Sequence, residues 1–322
     1  MATGTAANFK IYHEEFYGGV FESLQQNVQI FNEASRGALV LTSEMLKGDY
    51  EKESFLTALA GVIARRDTTS TADATAILMA MEELISVKLN RRVGPIEQTL
   101  DAWRKVASDQ QEMSFVIGQM VGQHKATDYA NTLVAAINAA LSGQAAVNHT
   151  VAGTMNHLAL VQGLAKFGDR ASKIIAWVMH SKPYFDLVGQ SITDKIVNVA
   201  DVAIYEGTPA TLGRPVIVTD SASLIDTAPT PDTYATLGLV AGAGIAKESE
   251  SQDIIGEVVT GKNNLIFRIQ GEHAFNVGLK GFKWDVTNGG ANPLDAAVAT
   301  ASNWDKVATD NKDLPGVRIV TQ

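Results

Sequence analysis

Cysteine is absent from the chain, which excludes disulfide bonds and thiolate metal sites outright. Aromatic residues make up only 7% of it, so packing must rely on small side chains and close backbone approach. No stretch reaches the ~18 uninterrupted apolar residues of a membrane-spanning helix, and no membrane partner is expected. The N-terminus, Met-Ala-Thr-Gly-Thr-Ala-Ala-Asn-Phe-Lys, lacks a basic region followed by an apolar run, so no signal peptide is expected. Basic residues are also in deficit: 26 Lys and Arg against 35 Asp and Glu give a formal charge of -9. Binding nucleic acid by neutralising phosphates needs clustered cations, and this balance argues against it. These absences together point to a soluble, unprocessed protein made inside a cell.

What is present describes a globular chain. Its 322 residues, 46% hydrophobic and 19% charged, suffice to bury roughly three-quarters of the unfolded surface. Residues 1–12 are small, polar and aperiodic, and read as an arm. Phe16, Val20, Leu24, Val28 and Phe31 then recur at helical spacing, predicting a helix from Glu14 to Phe31. Charged turns at Lys47–Glu53 and at Arg65-Arg66-Asp67 flank apolar patches. Ile85-Ser86-Val87-Lys88-Leu89 alternates like a strand, and Gly94-Pro95 follows Arg91-Arg92 as a break. The strongest periodicity runs from Met113 to Leu141 without proline, with Gly143 as its stop; at 1.5 Å per residue this helix is ~40 Å long. Further on, helices are expected at Ser172–Met179 and from Pro183 through Gln190, a strand at Val216–Thr219, and a loop over 220–234. Leu237–Ala246 is a Gly/Ala-rich apolar run, and strands are expected at 254–259, 264–269 and 275–286, the last two joined by Gly271-Glu272. Helices and strands thus mix without βαβ regularity, which reads as an α+β fold.

Catalytic motifs do not survive their context. Gly256–Asn263 has the Gly-x4-Gly-Lys spacing of a phosphate-binding loop, with Lys262 at the lysine position. Asn263 replaces the Ser or Thr hydroxyl that holds magnesium, and a strand-like segment follows where a helix must open. A β-turn at Gly261-Lys262-Asn263 is the better reading. The glycines of Gly238–Gly244 do not fit dinucleotide spacing. The six histidines, His13, His124, His149, His157, His180 and His273, include no i,i+4 pair and no H-E-x-x-H, so no metal site is expected. No G-x-S-x-G elbow is present, and the adjacent acids Glu14-Glu15 and Glu82-Glu83 read as solvated pairs. No catalytic residue, cofactor or metal is assigned.

One segment carries more information. Residues 273–305 join a strand ending in Phe282-Lys283-Trp284-Asp285 to a Gly289-Gly290-Ala291-Asn292-Pro293 break and an Ala-rich run closed by Asn303-Trp304-Asp305. With the Arg65-Arg66-Asp67 turn and the closing Lys312–Val317 segment, it resembles tailed-bacteriophage major capsid proteins of the HK97-type fold. The resemblance spans most of the chain in order. It implies an N-terminal arm (1–43), an extended loop (44–108), a peripheral domain with a spine helix (109–165 and 260–322) and an axial domain (166–259). It also implies a structural role: self-assembly into pentamers and hexamers of an icosahedral head enclosing double-stranded DNA, located in the virion capsid and assembled in the host cytoplasm. A separate scaffolding protein, a portal and a decoration protein are its implied partners. In such a family the extended loop docks on a neighbour, so Arg65, Arg66, Asp67, Lys88, Arg91 and Arg92 are expected at inter-subunit contacts, where arginine's planar fork suits bidentate pairing. An acidic lining would let enclosed DNA slide without sticking. The competing readings are an encapsulin-like nanocompartment shell, a tail-tube or sheath subunit, and, from another class, a nucleotide-binding enzyme using Lys262.

Overall fold

The computed structural model describes residues 6–43, 48–56, 68, 69, 71, 73, 81–99, 101, 102, 110–195, 212–261 and 263–322. Two sheets and two long helices define it. The first helix, α1 (Ala6–Ala34), begins eight residues before the predicted start, so part of the expected arm is helical. Val20 is buried, while Val28 and Phe31 pack on the main core. Arg36 and Gly37, both at positive φ, stop α1. The Asn32 amide then clamps the turn, donating to Leu41 O and accepting from Leu41 N, each at 3.0 Å.

The five-stranded sheet has the order β1-β9-β10-β3-β2, from β1 (Leu39–Ser43), β2 (Tyr50–Leu56), β3 (Met81–Thr99), β9 (Gly244–Val259) and β10 (Ile266–Leu279). Only β1, parallel to β9, departs from antiparallel pairing. Two sequence expectations are corrected here. Gly94-Pro95 does not end the segment: β3 runs through it, and two residues face the single Gln270 of β10 as a bulge. Gly94, at φ +78°, absorbs the extra residue where a side chain would meet strain. Gly271-Glu272 likewise lies within continuous β10 instead of turning a hairpin; a Cβ on Gly271 would press on Asp253 O at 2.9 Å, so close strand approach explains this glycine.

The six-stranded sheet runs β4-β13-β8-β5-β6, with β7 paired to β8. Its members are β4 (Asn148–Thr150), β5 (Ile174–Met179), β6 (Val216–Val218), β7 (Ile225–Asp226), β8 (Thr233–Val240) and β13 (Gly316–Thr321). The predicted helix at Ser172–Met179 is in fact the strand β5. Its run Ile-Ile-Ala-Trp-Val-Met is buried almost throughout, and a short continuous apolar run carries no period that separates helix from strand. The Gly/Ala-rich run divides between β8 and β9, around a turn at Gly242.

The second helix, α2 (Gln110–Ser142), is the predicted long element at 33 residues, ~50 Å by its rise. Leu133, Ile137 and Leu141 are fully buried, and α2 touches strands of both sheets, which therefore share one core. Its last carbonyls are capped by the Asn148 amide, which donates to Leu141 O and Ser142 O. Two shorter helices, α3 (His157–Ala165) and α4 (Ser181–Lys195), flank the six-stranded sheet.

The Trp-containing segment forms a compact knot. β11 (Phe282–Trp284) pairs with β12 (Trp304–Lys306) so that Trp284 faces Trp304. Their rings meet edge-on at 5.0 Å, a favoured aromatic arrangement. Each indole N–H finds a carbonyl, Gly290 O at 3.0 Å and Val298 O at 2.9 Å. Between them lie α5 (Val286–Gly289), capped by the Asp285 carboxylate, and α6 (Asp295–Val298). The Gly-Gly-x-Asn-Pro sequence is the turn this knot requires: Gly290 and Asn292 both take positive φ.

Candidate inter-subunit contact surfaces

The contact candidates are held on an arm whose base is locked to α2. Strands β2 and β3 pair antiparallel from Tyr50↔Val87 to Leu56↔Met81, and the chain between them carries Arg65, Arg66 and Asp67. Those three residues lie outside the described residues. Lys88, Arg91 and Arg92 share strand β3 but not a face, because successive strand residues alternate sides. Val87, Leu89 and Arg91 point toward α2, whereas Lys88 and Arg92 point the other way. Lys88 is buried, opposite Asn276 in register; Arg92 is exposed, opposite Glu272.

Arg91 is tied within its own chain. Its guanidinium donates to Asp128 on α2 at 2.9 Å, to Asp295 on α6 at 2.6 Å and to Thr132 at 3.3 Å. Burial pulls this group's pKa down, but the hydrogen bonds and charges of Asp128 and Asp295 outweigh it and hold it above the ordinary value. One turn back along α2, buried Lys125 pairs with Glu248 of β9. The arm strand, the helix and the Trp knot are therefore braced at one place. Sequence reasoning picked Arg91 but missed its partners, which lie 37 and 204 residues away and leave no local signal.

His273 stands beside this brace. It is buried, with neither ring nitrogen bonded among the described residues, and its ring lies 6.1 Å from that of Tyr129. Burial, then the charges of Lys125 and Arg91, push its pKa down to about 3. Tyr129 is also buried, and that burial, then the charge of Glu248, drives its phenol far up. The pair forms a neutral polar island under the charged bridge.

On the opposite face of the five-stranded sheet lies a groove of about 400 Å³. Leu84, Ile245, Leu279 and Phe282 supply apolar walls, and Asn276 lies among its lining residues. Asn276 is 1% exposed, and neither atom of its amide has a partner among the described residues. Lys247 of β9 donates to Glu51 of β2 at 2.9 Å across this face. Large apolar side chains also stand in the open at separate sites, including Phe21, Met81, Phe185, Ile255 and Leu294.

The Gly-x4-Gly-Lys match falls on the β9–β10 connection: Gly256 is within β9, and β10, a strand, follows. Lys262 lies outside the described residues. Among the described residues no group of three or more His, Asp or Glu could hold a metal ion. No helix of the described residues is long and apolar enough to cross a membrane.

Solved phage structures match this fold over most of the chain. The head of Helicobacter pylori bacteriophage KHP40 superposes with a TM-score of 0.52 at 9% identity, covering 88% of this chain and 87% of that one. The acid-stable capsid of Helicobacter pylori bacteriophage KHP30 gives 0.51 at 10% identity, with 88% of each chain covered. Mycobacterium phage Bobi gives 0.51 at 12% identity, again over 88% of each. No curated protein sequence matches the chain. The architecture is thus the HK97-like capsid fold, an α+β shell-subunit fold. Within it the chain belongs to the Gp13-like family, described as major capsid protein 13-like, whose sequence model matches residues 8–318. It is a structural capsid protein.

Proposed function

We propose that the chain assembles into pentamers and hexamers that close an icosahedral head around double-stranded DNA, and that it resides in the virion capsid after assembly in the host cytoplasm. The family match over nearly the whole chain carries this reading. Physically, each subunit meets several neighbours, so contacts of a few kcal/mol each sum to a stable shell while misplaced subunits still dissociate. Closed symmetry then turns one set of patches into rings. The strand arm reaches a neighbour through Arg65, Arg66, Asp67, Lys88 and Arg92, while Arg91 holds its base. A scaffolding protein, a portal and a decoration protein complete the assembly, and the role is structural, without catalysis.

Negative-stain microscopy of the purified chain at high concentration tests the shell. Round particles of uniform diameter are expected, and rods would assign the chain to a tail instead. Replacing Arg65 and Arg66 together by Glu is expected to abolish particles of normal size. Shells of unchanged size and yield would remove both arginines from the contact.

A further inference from the structure

A pocket of about 410 Å³ opens beside the brace at the base of the arm, where β3, α2 and β10 meet. Arg91, His124, Lys125 and His273 line it, together with two carboxylates, Asp128 and Asp295. Both carboxylates are held by Arg91, and Lys125 pairs with Glu248, which stands outside the lining. Arg91 donates from Nε to Asp128 and from Nη2 to Thr132 and Asp295, so its Nη1 hydrogens have no partner among the described residues. His124 is exposed and makes no hydrogen bond among the described residues.

His273 indicates what such a pocket takes. Its residue is only 6% exposed, it forms part of the lining, and neither ring nitrogen has a partner among the described residues. The two charges that bear on its ring, Lys125 and Arg91, are both positive. A neutral imidazole always carries one N–H, and a buried donor left unmet is costly. An anion oxygen answers that donor with a charge-assisted bond, in a place where the field of the two cations favours negative charge. A metal ion has no counterpart here, since among the described residues no group of acids and histidines could hold one. A free ion also fits better than a nucleic acid strand. The Asp295 side chain is 71% exposed and the chain carries -9, which repels a polyanion far more than one small ion. We propose that this pocket binds free phosphate, with its oxygens on Arg91 Nη1, His124 and the His273 N–H. The ion joins β3, α2 and β10 and stiffens the root of the arm. The inference holds whether or not the chain closes into a shell.

The test uses the full chain and inorganic phosphate at pH 7. The melting temperature is expected to climb with phosphate along a binding curve, and to stay behind in sodium chloride of the same ionic strength. Equal rises in the two salts would mean screening alone and overturn the inference. Titration calorimetry then compares variants. His273→Phe keeps an aromatic ring beside Tyr129 and leaves no nitrogen unmet, so without phosphate it should melt no lower than the parent protein, while its affinity for phosphate falls about tenfold. His124→Ala touches no internal partner and should weaken binding severalfold, which keeps the test decisive even where His273→Phe folds poorly. Unchanged affinity in His124→Ala, or in a folded His273→Phe, overturns the site. A last arm adds a DNA oligonucleotide without terminal phosphates. Phosphate binding is expected to be unaffected by it, and competition would assign the pocket to nucleic acid instead.

Discussion

His273 sets a pH dependence that can be read from one ring. The unfolded histidine titrates near 6.5 and the folded one at about 3, so its folded pKa is depressed. Its contribution is therefore complete above pH 6.5 and is lost as the pH falls toward 3. At pH 5 the loss amounts to about 2 kcal/mol by linkage. The facing groups are Lys125, Arg91 and Tyr129. Chemical denaturation at pH 7 and pH 5 should show the drop, and His273→Gln should flatten it by a similar amount whatever its absolute stability. An unchanged slope would place the acid sensitivity elsewhere. The neighbouring ion pair behaves differently. Lys125 has a side chain only 2% exposed, and its partner Glu248 is 16% exposed. Removing one partner strands a buried charge, so Lys125→Met is expected to cost about 3 kcal/mol. Adding Glu248→Gln should recover at least half of that loss, measured as a double-mutant cycle in urea.

At the scale of elements, two adjacent glycines in α1 have opposite roles. Gly18 is exposed, with nothing near a would-be Cβ, whereas a Cβ on buried Gly19 would overlap the Phe115 carbonyl of α2. Gly18→Ala should gain up to ~1 kcal/mol from helix propensity. Gly19→Ala gains the same propensity but forces two helices apart, an overpacking cost of about 1–3 kcal/mol, and should melt lower than the parent protein. Equal melting of the two variants would mean that α1 does not dock on α2 in solution. The same contrast shows what a sequence can convey. The helix α2 was legible because thirty residues without proline kept one period, and the strand at Ile85–Leu89 because it alternates. Residues 174–179 were not, since a run buried on both faces has no period at all. Gly94-Pro95 and Gly271 read as turns because glycine and proline mark both turns and bulges; only the partner strand distinguishes them. The candidate site was half legible. Arg91 stood out as a charge in a strand, but Asp128, Asp295 and the Asn276 groove exist only once distant segments are brought together.

For the whole molecule, charge and tiling pull against each other. Each subunit carries -9, so bringing many copies into one shell builds a repulsion that acts over the Debye length, ~30 Å at 0.01 M salt but only ~8 Å at 0.15 M. The attractive charge contacts are fewer. Exposed charge pairs between copies contribute about 0–1 kcal/mol each and are also weakened by salt, while buried apolar surface is not. Because the repulsion is summed over every neighbour and the pairs are local, screening should favour the shell. The subunit concentration at which particles first appear is expected to fall several-fold between ~0.02 M and ~0.2 M NaCl, followed by light scattering. Particles that dissolve over this range would mean the reverse ordering, with ion pairs rather than buried apolar surface holding one copy to the next.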